Sequence, residues 1–124
     1  MPHALLVEDD VFSSMILQET LMAAGHSVRV AYDGPAAMEL AESQQSFDIA
    51  VVDIMLPQRA GFAVIAALRK RSAKTRIVAI AGTSQSDRSL LEAANNAGAN
   101  VILTKPIARP TLAKHIQELM TQTP

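Results

Sequence analysis

Five short apolar runs, each followed by a longer segment of helical spacing, constrain this chain more than any other feature. The runs are Ala4-Leu5-Leu6-Val7, Val28 to Ala31, Ile49-Ala50-Val51-Val52, Ile77-Val78-Ala79-Ile80 and Val101-Ile102-Leu103. They are continuous rather than alternating, as expected of strands covered on both faces. The first helix is predicted from Val11 to Ala24, with Phe12, Met15, Ile16 and Leu21 among its apolar positions and Gly25 as its stop. A second opens at Asp33-Gly34-Pro35 and carries Met38 and Leu40. A third runs from about Gly61 to Lys70 and packs Phe62, Ile65 and Leu68, after an irregular loop from Ile54 to Ala60. A fourth spans Leu90 to Ala97 and is closed by Gly98, and Leu112, Ile116, Leu119 and Met120 mark a fifth. Strict alternation predicts a parallel sheet with helices on both sides. Five strands are too few for an eight-stranded barrel, so an open, doubly wound α/β sheet is expected.

The 124 residues are enough for one domain, 1–124, with a substantial core. Apolar residues are 49% and charged residues 19%, which excludes intrinsic disorder. Eleven Lys and Arg against twelve Asp and Glu, a net charge of −1, argue against nucleic acid or a membrane surface as the main partner. Aromatics at 3% argue against a base-stacking surface as well. The absence of Cys removes disulfides, thiolate metal sites and Cys nucleophiles together. No stretch nears the ~18 apolar residues of a membrane span, and the start lacks the basic region of a signal peptide, so a cytoplasmic location is expected. There is no internal repeat, charge block or low-complexity tract. The tail Thr121 to Pro124 reads either as a chain end or as a cut before a linker.

In open sheets of this kind, ligands bind beyond the carboxyl ends of the strands. There the sequence sets Glu8, Asp9 and Asp10 after the first run and Asp53 after the third. Ala81, Gly82, Thr83 and Ser84 follow the fourth, and Thr104, Lys105 and Pro106 the fifth. Two carboxylates about 4 Å apart repel by roughly 4 kcal/mol at an effective dielectric of 20, and Lys105 is one counter-charge for several acids. A divalent cation is the natural remedy. With oxygen ligands and no Cys or His at the rim, Mg²⁺ (or Mn²⁺) is favoured over zinc. An acid, a hard cation, a Lys and a hydroxyl together suit a phosphoryl group.

Each signal alone has a plainer reading. Asp10 is expected to cap the first helix, and a lone acid such as Asp53 is commonly a cap too. Lys105 before Pro106 also fits a surface turn, and Thr83 a structural hydroxyl. Convergence on one edge of one sheet favours function. His3, His26 and His115 fall away from that edge. No serine-hydrolase elbow, Walker loop or dinucleotide fingerprint is present.

The motifs Leu6-Val7-Glu8-Asp9-Asp10, Val51-Val52-Asp53-Ile54-Met55-Leu56-Pro57 with Gly61, Ala97-Gly98-Ala99 and Thr104-Lys105-Pro106 resemble those of response regulator receiver domains of two-component signalling. Spacing makes the match specific: 53 − 9 = 44 and 105 − 53 = 52, both as in that family. The resemblance implies a flavodoxin-like, CheY-like (βα)5 fold with strand order 2-1-3-4-5 over the whole chain. It implies Asp53 as phosphoacceptor, with Asp9, Asp53 and the backbone carbonyl of Met55 as Mg²⁺ ligands and Glu8 acting through metal-bound water. Lys105 would pair with the phosphoryl group, and the Lys105–Pro106 peptide would be cis. The donor would be a sensor histidine kinase or phosphotransfer protein, acting on a receiver that is not a turnover enzyme. The receiver would in turn act on an output protein or domain that the sequence does not name.

Two positions depart from the family pattern. The hydroxyl expected at the end of the fourth strand falls on Ala81 when counted along the strand and on Thr83 when counted back from Gly98. The aromatic residue expected three before Lys105 is Ile102. These departures leave a phosphorylation-independent interaction module as an alternative. A small phosphatase is disfavoured, because Met55 stands where such an enzyme needs a second acid.

Overall fold

A computed structural model of the chain describes residues 2–82 and 88–121. In chain order it contains β1 (His3–Val7), α1 (Val11–Ala23), β2 (Ser27–Ala31), α2 (Gly34–Ala41) and β3 (Ile49–Asp53). A single 3₁₀ turn (Pro57–Arg59) then leads into α3 (Ala60–Arg71), followed by β4 (Arg76–Ala81), α4 (Arg88–Ala97), β5 (Val101–Thr104) and α5 (Arg109–Thr121). The strands form one parallel sheet in the order β2-β1-β3-β4-β5. The elements match those predicted to within one or two residues at most ends.

Period-two alternation sends each strand's side chains to opposite faces of the sheet. Leu5, Val7, Ala50, Val52, Ile77 and Ala79 pack with residues of α2, α3 and α4. Ala4, Leu6, Ile49, Val51, Val78 and Ile80 pack with Leu17 and Leu21 of α1 and Leu112, Ile116 and Leu119 of α5. Burial of each large aliphatic side chain contributes about 1.5–3 kcal/mol, so both layers are needed.

Helix ends follow the sequence signals. Asp10 caps α1, its Oδ2 accepting from the Ser13 backbone N–H (3.0 Å) and hydroxyl (2.7 Å). Asp33 caps α2, its Oδ1 accepting from the Ala36 N–H at 2.8 Å. Gly25 and Gly98 take the left-handed conformation after α1 and α4, with φ of +95° and +122°.

On α1 the outcome differs from the expected stripe. Leu21 is buried along with Ser14 and Leu17, but Phe12 is 78% exposed and Met15 and Ile16 also face outward. Apolar residues lie on more than one face of α1, between Ser13, Ser14, Gln18, Glu19 and Thr20, so its periodicity does not select a single face.

The run Arg69 to Arg76 holds five cations, which sequence patterning did not single out. Its arginines serve the carbonyl ends of four helices. Arg69 donates to the carbonyls of Ser72 (3.2 Å), Ala73 (3.0 Å), Thr75 (2.8 Å) and Gly98 (2.8 Å). Arg71 reaches Ala41 O at 3.2 Å, at the end of α2, and Arg76 reaches Leu119 O at 3.1 Å, in the last turn of α5. Cations at these positions complement the negative ends of the helix dipoles.

Between β3 and α3 the chain turns through two consecutive non-glycine residues with positive φ, Gln58 (+60°) and Arg59 (+57°). This conformation costs an L-residue roughly 1–2 kcal/mol, partly offset when glycine replaces it by the greater entropy of the unfolded chain. Gln58→Gly is therefore expected to raise stability by about 0.5–1 kcal/mol, read as a higher urea midpoint with an unchanged m value. A lower midpoint would contradict the assignment of strain to this turn.

Candidate functional site

Register places the rim residues. Val7 pairs with Val52, so Glu8, just past β1, and Asp53, at the end of β3, stand at one height. Asp53 pairs with Ile80, and Ala81 pairs with Thr104, which sets Lys105 one residue above the last rung. The Lys105 N–H donates to Ala81 O at 2.8 Å, and the Lys105–Pro106 peptide is cis.

At this rim the Lys105 ammonium bridges two acids, 2.7 Å from Glu8 Oε1 and 3.1 Å from Asp53 Oδ2. Glu8 is wholly buried and Asp53 nearly so. The Met55 N–H donates to Asp53 Oδ1 at 2.7 Å, and the Asp10 N–H donates to Glu8 Oε2 at 3.3 Å. Asp9 is exposed, yet carboxylate oxygens of Glu8, Asp9 and Asp53 all lie within 4.8 Å of one another. The contact of Glu8 Oε1 with Lys105 is an ion pair that lacks hydrogen-bond alignment.

Burial chiefly drives the Glu8 carboxyl up to about 7; the Lys105 ammonium opposes the rise and neighbouring Asp53 adds to it. Burial acts to lower the ammonium of Lys105, but the carboxylates of Glu8 and Asp53 outweigh it and the net direction is upward. The Asp10 carboxyl is held below the ordinary range by its bonds to Ser13, so it serves the helix and stands apart from the cluster.

Three carboxylates against one ammonium leave two negative charges uncompensated when all are ionised. Oxygen-only donors of that charge fit a hard divalent cation, and Glu8, Asp9 and Asp53 could hold one. The cluster also stands at the N-terminal ends of the helices, where the backbone favours an anionic group.

The structure thus brings together Glu8, Asp9, Asp53 and Lys105 from three separate places in the chain. β4 ends at Ala81, a buried residue with no hydroxyl to offer. Thr83, the other position considered, lies outside the described residues. Ile102 is half-buried against the α2–α3–α4 layer. None of the three histidines joins the cluster.

A family model for the response regulator receiver domain matches residues 4–117, and the chain belongs to that family. Phosphorylation and Mg²⁺ binding are general features of its members, which work with histidine kinases and output domains and are not turnover enzymes. Among its relatives is the transcriptional regulatory protein CpxR of Escherichia coli, 33% identical over 99% of this chain and 51% of that protein. RprY of Bacteroides fragilis is 30% identical over 94% of the chain and 48% of its own length. The chain spans about half the length of these curated relatives. The BeF3-activated DrrB receiver domain superposes with a TM-score of 0.87 at 21% identity, covering 98% of this chain and 99% of that one, a likeness of fold. The chemotaxis response regulator CheY4 of Vibrio cholerae gives a TM-score of 0.83 at 28% identity, with 96% and 98% covered.

The raised Glu8 carboxyl has a consequence for stability. Its value in the unfolded chain is near 4.5 and rises to about 7 on folding, so the folded state holds the extra proton between those limits. Stability from this group is complete below about pH 4.5 and is lost as the pH rises through 7. In metal-free buffer Glu8→Gln is expected to be more stable than the wild type at pH 8, with the gap closing by pH 5. Urea melts at the two pH values check this, and a Gln variant less stable at pH 8 would count against it.

Proposed function

We propose that this chain is a phosphorylatable receiver whose acceptor is Asp53. The ion-paired cluster of Glu8, Asp53 and Lys105, with Asp9 alongside, is the observation that carries the reading. A carboxylate oxygen of Asp53 attacks the phosphorus of a phosphohistidine protonated on its other ring nitrogen, a P–O bond forms as the P–N bond breaks, and the bond's electron pair leaves with the imidazole, which departs neutral. Asp53 becomes an acyl phosphate. Lys105 pairs its ammonium with the phosphoryl oxygens as a point charge. Asp9, Asp53 and the Met55 backbone carbonyl would hold Mg²⁺ (Mn²⁺ being the alternative), with Glu8 acting through bound water. When bound, the cation would neutralise charge on the phosphoryl oxygens. The Met55 N–H meanwhile holds the carboxylate in orientation.

The donor is a sensor histidine kinase or phosphotransfer protein, the readout an output protein or domain, and the setting cytoplasmic. Neither a nucleic acid nor a membrane contacts this domain directly. Because β4 ends on Ala81, we assign the phosphoryl-sensing hydroxyl to Thr83. Thr83→Ala should still take up the phosphoryl group but respond more weakly to it, seen as smaller amide-shift changes in α4 and β5 on phosphorylation. Equal responses in the variant and wild type would remove Thr83 from the switch.

Incubation with acetyl phosphate and Mg²⁺ should add one phosphoryl group, detected by intact mass. Asp53→Asn should abolish the gain, EDTA should suppress it, and Lys105→Met should slow it by roughly 10²-fold. A wild type that gains nothing under these conditions would overturn the proposal. The alternative, a module that docks without phosphorylation, draws on the missing strand-end hydroxyl and on Ile102. It predicts that beryllofluoride leaves the α4 and β5 resonances in place.

A further inference from the structure

Two glycines outside the charged cluster lie on a line of close contacts that ends at the acceptor. Gly61, in the first turn of α3, is buried against the backbone of β3's last residue. A Cβ at Gly61 would overlap the carbonyl oxygen of Asp53, and it would stand 2.7 Å from Ile54 Cα and 3.1 Å from the Asp53 carbonyl carbon. These obstacles are main-chain atoms, which cannot swing aside as the end of a side chain can. The Ile54 N–H is itself held by Ile80 O at 2.9 Å, so the strand end cannot readily retreat.

The residue before Gly61 makes the other contact. A Cβ on Gly34, at the capped start of α2, would lie 2.6 Å from the Cβ of Ala60. Ala60-Gly61 is thus a wedge with the α2 start on one side and the Asp53 backbone on the other. The left-handed pair Gln58 and Arg59 turns the chain into it.

We propose that Gly61, backed by the Gly34–Ala60 contact, is a positioning residue that sets the Asp53 carboxylate against Glu8, Asp9 and Lys105. This rests on the reading of Asp53 as phosphoacceptor. Added bulk at Gly61 pushes directly on the Asp53 main chain, and bulk at Gly34 pushes through Ala60. Displacements near 1 Å at a reacting group cost on the order of 10²-fold in rate. The hydrogen bond from Met55 N–H to Asp53 Oδ1 reports the carboxylate's place without any phosphoryl group or metal.

The test compares the wild type with Gly61→Ala, Gly34→Ala and the swap Gly34→Ala/Ala60→Gly, each checked for folding by circular dichroism. The Met55 amide proton shift, Mg²⁺ affinity and the rate of phosphoryl gain from acetyl phosphate are measured. Gly61→Ala should move the Met55 amide upfield and weaken Mg²⁺ binding by about tenfold, with a larger fall in rate. Gly34→Ala should shift the same readings by less, and the swap, which removes the Cβ that the new methyl meets, should restore them. Folded single variants with wild-type Met55 shifts would overturn the proposal, as would a swap that recovers nothing. If Gly61→Ala does not fold, Gly34→Ala and its swap decide. If the wild type gains no phosphoryl group, the phosphoacceptor reading fails, while the Met55 shift still decides whether the wedge positions Asp53.

Discussion

One ammonium between two buried carboxylates is the constraint on which the rest of this structure depends. Lys105 is brought to Glu8 and Asp53 by the register of four strands, and any slip of one residue would send a member of the trio to the other face of the sheet. The arrangement is under-compensated, which explains both the raised Glu8 carboxyl and the capacity for a further positive charge. A tightly neutralised triad would be more stable and would have less use for a cation or a phosphoryl group. The surrounding apolar layers supply the stability that lets such a cluster persist.

The fold also sorts charge along the strand axis. The carboxyl ends of the strands meet the amino ends of the helices, and there the chain places Glu8, Asp9, Asp10, Asp33 and Asp53. At the opposite end, Arg69, Arg71 and Arg76 satisfy carbonyls left over by four helices. A net charge of −1 conceals this separation. The acidic end collects donors for a cation, and the backbone N–H groups beside it suit the anion that such a cation accompanies.

Much of this was legible in the residues. The alternation of apolar runs and helical spacing gave the layered sheet, Gly25 and Gly98 marked helix ends, and Asp10 declared itself a cap through its position before Val11. Glu8, Asp9, Asp53 and Lys105 could be grouped because every one comes just after an apolar run, and strand ends in a parallel sheet share an edge. What escaped has physical causes. The outward face of α1 was hidden because Phe12, Met15, Ile16, Leu17 and Leu21 leave no single apolar stripe. Arg69 carries no sequence signal of its role, since its partners include the Gly98 carbonyl and the Asn100 side chain, 29 and 31 residues away and outside any local pattern. The left-handed Gln58 and Arg59 were unreadable because neither is the glycine that usually announces such a turn.

The arginine contacts at the far end have a mechanical side. Arg69 ties the end of α3 to the turn after α4, Arg71 ties α3 to the end of α2, and Arg76 holds the foot of β4 to α5. The base of α3 is thereby joined through guanidinium groups to those of α2 and α4, so a load on any one of these three helix ends is shared among them.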